Sequence, residues 1–126
     1  YTPTKGILEK VKTHAGDVDF EVQPELLSLL SSGDFGRYAD EKGEMNVCFI
    51  SNNDITGGNS GSAMFNAKGE LLGLVLDGNW EAMSSDILYE PKMQRTIGVD
   101  VRYILFMIEK YGKAGNLIQE LKLANP

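Results

Sequence analysis

The sequence is poor in several residue types, and each shortage narrows the chemistry available to the chain. Of its 126 residues only one is histidine and only one is cysteine. The cysteine, Cys48, lies in an apolar stretch, which indicates a small buried hydrophobic residue rather than a reactive or paired thiol. The acidic residues Glu81, Asp86 and Glu90 do not have the spacing of a compact ligand set. We therefore expect no metal ion and no other cofactor.

Positive charge and long apolar runs are also scarce. Lysine and arginine number 12 against 18 aspartate and glutamate residues, for a formal net charge of −6. Nucleic-acid binding requires a basic face, so this balance argues against it. No apolar stretch reaches the length of a membrane span, because the run from Tyr103 to Ile108 is short and interrupted by charge nearby. We expect neither nucleic acid nor membrane as a partner.

The length of the chain fits a single domain, residues 1–126. The chain begins at Tyr1 rather than Met and shows no signal peptide, so we expect it to be a piece of a longer protein.

The most informative feature present is the segment Gly57-Gly58-Asn59-Ser60-Gly61-Ser62. Glycines on both sides of a serine allow the sharp bend that aims backbone N–H groups at one point. A serine that attacks a peptide carbonyl needs such donors for the developing oxyanion. The segment resembles the nucleophile loop of chymotrypsin-like serine peptidases, which assigns Ser60 as nucleophile and the N–H groups of Gly58 and Ser60 as the oxyanion hole. The alternative is a simple turn, or an anion-binding nest of backbone amides.

Hydrophobic periodicity predicts several short strands and few helices. A strand enters the serine loop, and a hairpin follows it, turning at Lys68-Gly69. The predicted strands cover residues 6–13, 19–23, 45–51, 62–66, 70–76, 86–89 and 95–99. Pro24 is expected to open a helix over residues 25–30. A second helix is predicted to start at residue 101, with Asp100 as its N-cap candidate, and to break at residues 112–115. One or two further helical turns are predicted over residues 117–123.

A more specific resemblance extends over most of the chain. It is carried by residues 57–112, which include DGNWEAM (77–83) and QRTIGVDVRY (94–103), and by the upstream segments Asp34–Asp40 and Cys48–Thr56. Together they resemble the C-terminal part of the bacterial dipeptidyl-peptidase VII and XI family, closer to the VII branch. These are chymotrypsin-like serine exopeptidases that release dipeptides from free N-termini. The resemblance implies a mainly β chain, the C-terminal β-barrel half of such a peptidase with a C-terminal helix, and a periplasmic or secreted protein.

The resemblance also implies a substrate site that accepts peptides with a free N-terminus. Asp77 would bind the α-amino group, and Gly78 would face the pocket for the residue before the cut. Acid-preferring relatives carry arginine at that position, so glycine implies an apolar preference. Thr56 and Asp54, which precede the serine loop, are candidates for lining the same pocket. A turn aspartate at position 77 and ordinary loop polarity at positions 54 and 56 are the alternatives. Trp80 is interpreted mainly as a packing residue beside the cleft, with direct contact to the substrate as the alternative.

The main departure from the family pattern is the lack of a base. Serine acyl transfer needs a histidine and a carboxylate, which the family takes from its N-terminal barrel. His14 lies in a loop-like segment without a triad neighbourhood and is interpreted as a surface histidine. We therefore expect the isolated chain to be inactive. The alternative function is a non-catalytic module that binds peptides or partners. A half-barrel alone would expose apolar surface, so a homodimer is expected.

Overall fold

The computed structural model of the chain describes residues 2–84 and 90–124, and its contacts divide it into two compact units. The sheet unit is Cys48–Val101. The helical unit combines Thr2–Val47 with Arg102–Pro126. The single domain of residues 1–126 stays a prediction.

Antiparallel strands form the sheet unit. They are β2 (Asn46–Ser51), β3 (Ala63–Phe65), β4 (Leu71–Gly78) and β5 (Thr96–Asp100). The strand order is β1-β2-β5-β4-β3, in which the two-residue strand β1 (Thr2–Pro3) and the first two residues of β2 belong to the helical unit. The strands predicted over residues 45–51, 62–66, 70–76 and 95–99 are confirmed. The strand predicted over residues 86–89 lies outside the described residues.

A bulge near the end of β4 changes the register with which it pairs β5. Val75 lies opposite Gly98, but Asp77 lies opposite Ile97, so Leu76 is the additional residue. A bulge bends its strand and changes the direction of the side chains beyond it. It therefore separates the regular part of β4 from the pair Asp77-Gly78, which ends the strand.

Two glycines allow Phe49 to pack closely on the sheet. A Cβ at Gly98 would lie 2.8 Å from Cζ of the Phe49 ring and 2.7 Å from Sδ of Met64, and a Cβ at Gly73 would lie 2.1 Å from the Val99 carbonyl oxygen. Any larger residue would displace the backbone or the ring, so these positions require glycine for lack of space.

The helical unit contains α1 (Thr4–Thr13), α2 (Pro24–Ser32), most of α3 (Val101–Phe106) with a following π-helical turn (Met107–Tyr111), and α4 (Gly115–Glu120). Its core consists of large buried side chains, namely Leu30, Phe35, Tyr38, Met45 and Phe106. The helix predicted over residues 25–30 and the one starting at residue 101 are confirmed, whereas the final helical segment ends at Glu120.

The predicted strand over residues 6–13 is wrong, because this segment is α1. Ile7, Leu8 and Val11 are half-buried while Glu9 and Lys10 between them are exposed. Spacings of one and four residues place the three apolar side chains on one helical face. This helical spacing is a stronger indication than the β-branched residues that favoured a strand.

The predicted strand over residues 19–23 is also wrong. A short 3₁₀ turn covers Val18–Phe20, and the Asp17 carboxylate accepts a hydrogen bond from the Asp19 N–H at 3.1 Å. This local side-chain bond offers the backbone an alternative to a sheet ladder. The expectation of a mainly β chain is therefore corrected to a chain of sheet and helices, and the β-barrel half stays a prediction.

A polar cluster joins the π-helical turn to the rest of the helical unit. The buried Tyr38 hydroxyl donates to Oε2 of Glu109, and Arg37 Nη2 donates to Oε1 at 3.1 Å. The Tyr38 hydrogen bond, followed by the Arg37 guanidinium, holds the pKa of Glu109 below its usual value against the opposing effect of burial. Burial raises the pKa of Tyr38, which stays a hydrogen-bond donor.

Two further sequence expectations can be compared with the structure. Cys48 is half-buried, and burial raises the pKa of its thiol, as expected for a hydrophobic rather than a reactive residue. Within residues 2–84 and 90–124, no helix is both long and apolar enough to cross a bilayer.

Candidate active site

The serine loop is held in a sharp bend by its own backbone and by Asn59. Gly58 and Gly61 have φ values of +94° and +84°, in the region that favours glycine. The Asn59 side-chain oxygen accepts from the Thr56 N–H at 2.8 Å, and the Asn59 carbonyl accepts from the Ser62 N–H at 2.9 Å. Hydrogen bonds thus fix the backbone of the loop on both sides of Ser60.

Hydrogen bonds to β4 fix the loop on the sheet. The Gly61 N–H donates to the Val75 carbonyl, and the Val75 N–H donates to the Ser62 carbonyl, each at 2.8 Å. The exposed Ser60 hydroxyl donates to the carbonyl of the bulge residue Leu76 at 3.2 Å. The pairing therefore places Ser60 beside the last residues of β4.

The two N–H groups assigned to the oxyanion hole are available for a ligand. Among the described residues, neither the Gly58 N–H nor the Ser60 N–H has an intramolecular acceptor. Backbone donors that the fold leaves unused are what an oxyanion hole requires. The same property suits an anion-binding nest, so the geometry is compatible with both sequence interpretations.

One cavity of about 200 Å³ brings the sequence-predicted site residues together. Its lining includes Ser60, Gly58, Thr56, Asp77 and Gly78. These residues come from the serine loop and from the end of β4, which are 17 positions apart at Ser60 and Asp77. The juxtaposition follows from the hydrogen bonds between loop and strand.

Five lining residues were given no binding role by the sequence analysis: Ile55 and Gly57 before Ser60, and Asn79, Ala82 and Met83 after β4. The last three form one side of the cavity's lining. They belong to the loop and 3₁₀ turn (Trp80–Ser84) that follow β4. Their position in the DGNWEAM segment, directly after Asp77-Gly78, could have indicated that they lie near the site. A tight turn after a strand keeps the residues that follow close to the strand end.

Asp77 contributes a carboxylate to the cavity, and Gly78 contributes a position without a side chain. Oδ1 of Asp77 accepts from the Gly78 N–H at 2.7 Å, and the side chain is exposed. A Cβ at Gly78 would lie 2.8 Å from Cβ of Ala82 and 3.9 Å from the Arg95 carbonyl oxygen. The methyl group of Ala82 therefore occupies the space that a side chain at position 78 would enter.

Two other residues singled out in the sequence lie in different surroundings. His14 belongs to the helical unit, where Nδ1 lies 2.9 Å from Oγ1 of Thr13 and the ring packs 4.2 Å from the ring of Phe20. Trp80 is 81% exposed, so its interpretation as a packing residue is wrong within the described part of the chain.

A profile of the family described as Peptidase S46 matches residues 1–123. The chain belongs to the Peptidase S46 family. Its relatives include a protein of Porphyromonas endodontalis named Dipeptidyl-peptidase 7, 57% identical over 98% of the chain and 15% of that protein. A protein of Capnocytophaga gingivalis named Asp/Glu-specific dipeptidyl-peptidase is 48% identical over 98% of the chain and 17% of that protein.

This Peptidase S46 chain is also similar to solved structures of a related protein. The crystal structure of Porphyromonas endodontalis DPP11 in complex with the dipeptide Arg-Asp matches 96% of the chain at 40% identity, with a TM-score of 0.90, and the match spans 17% of that protein. The chain therefore corresponds to about one sixth of the length of the curated relatives it matches, and those relatives are dipeptidyl-peptidases.

Proposed function

We propose that this chain is the part of a serine dipeptidyl-peptidase that supplies the nucleophile and the pocket for the residue before the cut. The observation that carries the proposal is the single cavity shared by Ser60, Gly58, Asp77 and Gly78. A nucleophile, backbone donors and a carboxylate at one cavity match the requirements of acyl transfer at a charged N-terminus.

In this mechanism Ser60 attacks the peptide carbonyl, and the N–H groups of Gly58 and Ser60 stabilise the oxyanion. The Ser60 hydroxyl has the Leu76 carbonyl as its acceptor, and a neutral amide carbonyl cannot take up the proton. The base and its orienting carboxylate then come from another part of the full-length protein. The isolated chain should neither turn over dipeptidyl reporters nor react with a serine-directed phosphonate.

Asp77 would make the enzyme an exopeptidase. Its exposed carboxylate would bind the α-ammonium group of the substrate through short, charge-assisted hydrogen bonds. Since Asp77 and Ser60 line the same cavity, an anchored N-terminus would place a nearby peptide bond at the nucleophile, and dipeptides would be released.

The pocket would prefer an apolar side chain before the cut. Its lining, as drawn from the described residues, contains Ile55, Ala82 and Met83 but neither lysine nor arginine. With glycine at position 78 there is no cation to pair with an acidic substrate residue. Relatives named Dipeptidyl-peptidase 7 are 47–57% identical and relatives named Asp/Glu-specific dipeptidyl-peptidase 42–48%, an overlapping pair of ranges that favours the same assignment.

The test compares dipeptidyl reporters with free and acetylated N-termini on the full-length protein. We expect cleavage of the free form only. Asp77→Asn should lower kcat/KM for the free form roughly 10- to 150-fold, the equivalent of losing a hydrogen bond to a charged group. Asp54→Asn is the matched control, because Asp54 is exposed and precedes the serine loop without lining the cavity. Equal cleavage of both reporters, or equal effects of the two substitutions, would contradict the assignment.

A non-catalytic binding module is the second candidate. Exposed apolar side chains on the sheet unit favour it, with Ile50 62% and Phe65 61% exposed. Such surface suits a bound partner, including a second copy in a homodimer. Phosphonate labelling of Ser60 in the full-length protein separates the candidates, because an idle serine is not activated for attack.

A further inference from the structure

Asn79 uses all of its polar groups to hold the loop that follows β4. Its N–H donates to the Arg95 carbonyl at 2.9 Å, and its side-chain oxygen accepts from the Arg95 N–H at 2.8 Å. Its side-chain nitrogen donates to the Met93 carbonyl at 2.9 Å and to Oε2 of Glu81 at 2.7 Å. The two ends of the segment between Asn79 and Arg95 are therefore joined through one side chain.

The same residue also starts the 3₁₀ turn. The Asn79 carbonyl accepts from the Ala82 N–H at 2.9 Å. Ala82 and Met83 line the cavity, and Cβ of Ala82 lies where a side chain on Gly78 would begin. The position of this wall relative to Gly78 therefore depends on the hydrogen bonds of Asn79.

We infer that Asn79 is a positioning residue for substrate selection: it holds the Ala82–Met83 wall at the distance from Gly78 that fits an apolar side chain. The inference rests on the proposed function, because it assigns the cavity to the residue before the cut. Asparagine is suited to this place, since aspartate would turn a carboxylate oxygen toward the Met93 carbonyl and the Glu81 carboxylate. Alanine would leave the Arg95 N–H without its acceptor.

Asn66 provides a matched control within the same unit. Its side-chain oxygen accepts from the Lys68 N–H at 2.9 Å and from the Glu70 N–H at 3.0 Å, and its nitrogen donates to Oε2 of Glu70 at 2.6 Å. Both asparagines are half-buried, but Asn66 holds the β3–β4 turn and does not line the cavity. Loss of either side chain removes comparable hydrogen bonds, so only the effect on substrate selection should differ.

The experiment measures kcat and KM of the full-length protein for free dipeptidyl reporters that end in Leu or Ala. Asn79→Ala should raise KM for the Leu reporter and lower the Leu/Ala ratio of kcat/KM on the order of tenfold, the scale at which an apolar pocket discriminates side-chain size. Its kcat should change less. Asn66→Ala should leave the ratio within about twofold of wild type.

Hydrogen exchange provides a readout that does not depend on activity. Peptides covering residues 79–84 of the full-length protein should lose protection in Asn79→Ala and keep it in Asn66→Ala. An unchanged Leu/Ala ratio with faster exchange would overturn the inference, as would a variant that fails to fold when Asn66→Ala folds. Absence of dipeptide release by the wild type would instead refute the proposed function.

Discussion

The two units of the chain are organised by different forces. In the helical unit large side chains from separate segments are buried together, and Phe106 is 1% exposed between the rings of Phe35 and Tyr38. In the sheet unit several large apolar side chains stay exposed, among them Phe65 and Leu76. There the order comes from ladder hydrogen bonds, turn asparagines and glycines in close contact.

The difference indicates a division of roles between stability and chemistry. Burial of aromatic rings gives a strong free-energy gain without presenting reactive groups. Hydrogen-bonded loops at a sheet end hold polar groups in place while leaving them accessible, as at Ser60 and Asp77. Substitutions should therefore affect catalysis in one unit and the free energy of unfolding in the other.

The largest expected effect is on the nucleophile. Ser60→Ala in the full-length protein should lower kcat on the order of a million-fold, as loss of a triad serine does in other peptidases. Thermal stability should change little, because the Leu76 carbonyl is the one partner of this exposed hydroxyl among residues 2–84 and 90–124. Ser62→Ala, two positions further on, is the control. A Ser60→Ala enzyme that keeps a large part of the wild-type rate would mean that the loop is only a turn.

The next effect concerns the buried ring of the helical unit. Phe106→Ala should destabilise that unit by about 3–5 kcal/mol, the usual cost of removing a buried aromatic side chain. Phe65→Ala in β3 should cost about 0.5 kcal/mol or less, because Phe65 is 61% exposed. Native-state hydrogen exchange of each segment in the full-length protein gives both values. A similar loss of unfolding free energy in the two variants would contradict the contrast between the units.

A smaller effect is expected on substrate preference. Gly78→Arg alone should weaken cleavage of reporters ending in Leu and in Asp alike, because its Cβ would meet Cβ of Ala82 at 2.8 Å. Combined with Ala82→Gly, it should move the Asp/Leu ratio of kcat/KM at least tenfold toward Asp, since a guanidinium pairs with a carboxylate. Ala82→Gly alone should keep the apolar preference. An unchanged Asp/Leu ratio of kcat/KM in the double variant would show that residue 78 does not face the pocket.

The smallest effect depends on pH. Because the folded-state pKa of Glu109 is lowered, its contribution to stability is present above the unfolded value of about 4.3 and is lost as pH falls through the folded pKa. Tyr38→Phe should therefore cost about 1–2 kcal/mol at pH 7 and progressively less in acid. Tyr111→Phe, which removes a hydrogen bond to the neutral Gln23 side chain, should show no such dependence. Exchange protection of residues 101–111, followed from pH 7 down through and well below the unfolded value of about 4.3, tests both.

Local signals predicted the sheet unit better than the helical unit. The hairpin, the strand entering the serine loop and the strand after Gln94 all have short apolar runs bounded by turn residues, and each is present. The segment over residues 6–13 has the same β-branched content but a helical spacing, which the prediction underweighted. The wall formed by Ala82 and Met83 was missed because its place depends on Asn79 reaching Met93 and Arg95, far along the chain.

By itself, the sequence determined the residue types that serine chemistry needs and the family to which the chain belongs. Glycine at positions 58 and 61 and serine between them are local requirements, met by the backbone of one loop. Only the tertiary structure decided that Ser60, Asp77 and Ala82 line one cavity. The physical reason is that these contacts join segments that are distant in sequence: they depend on the bulge at Leu76, on the pairing of β4 with β5 and on the hydrogen bonds of Asn79. A periodic pattern in the sequence reports only on nearby residues, so it cannot predict such contacts.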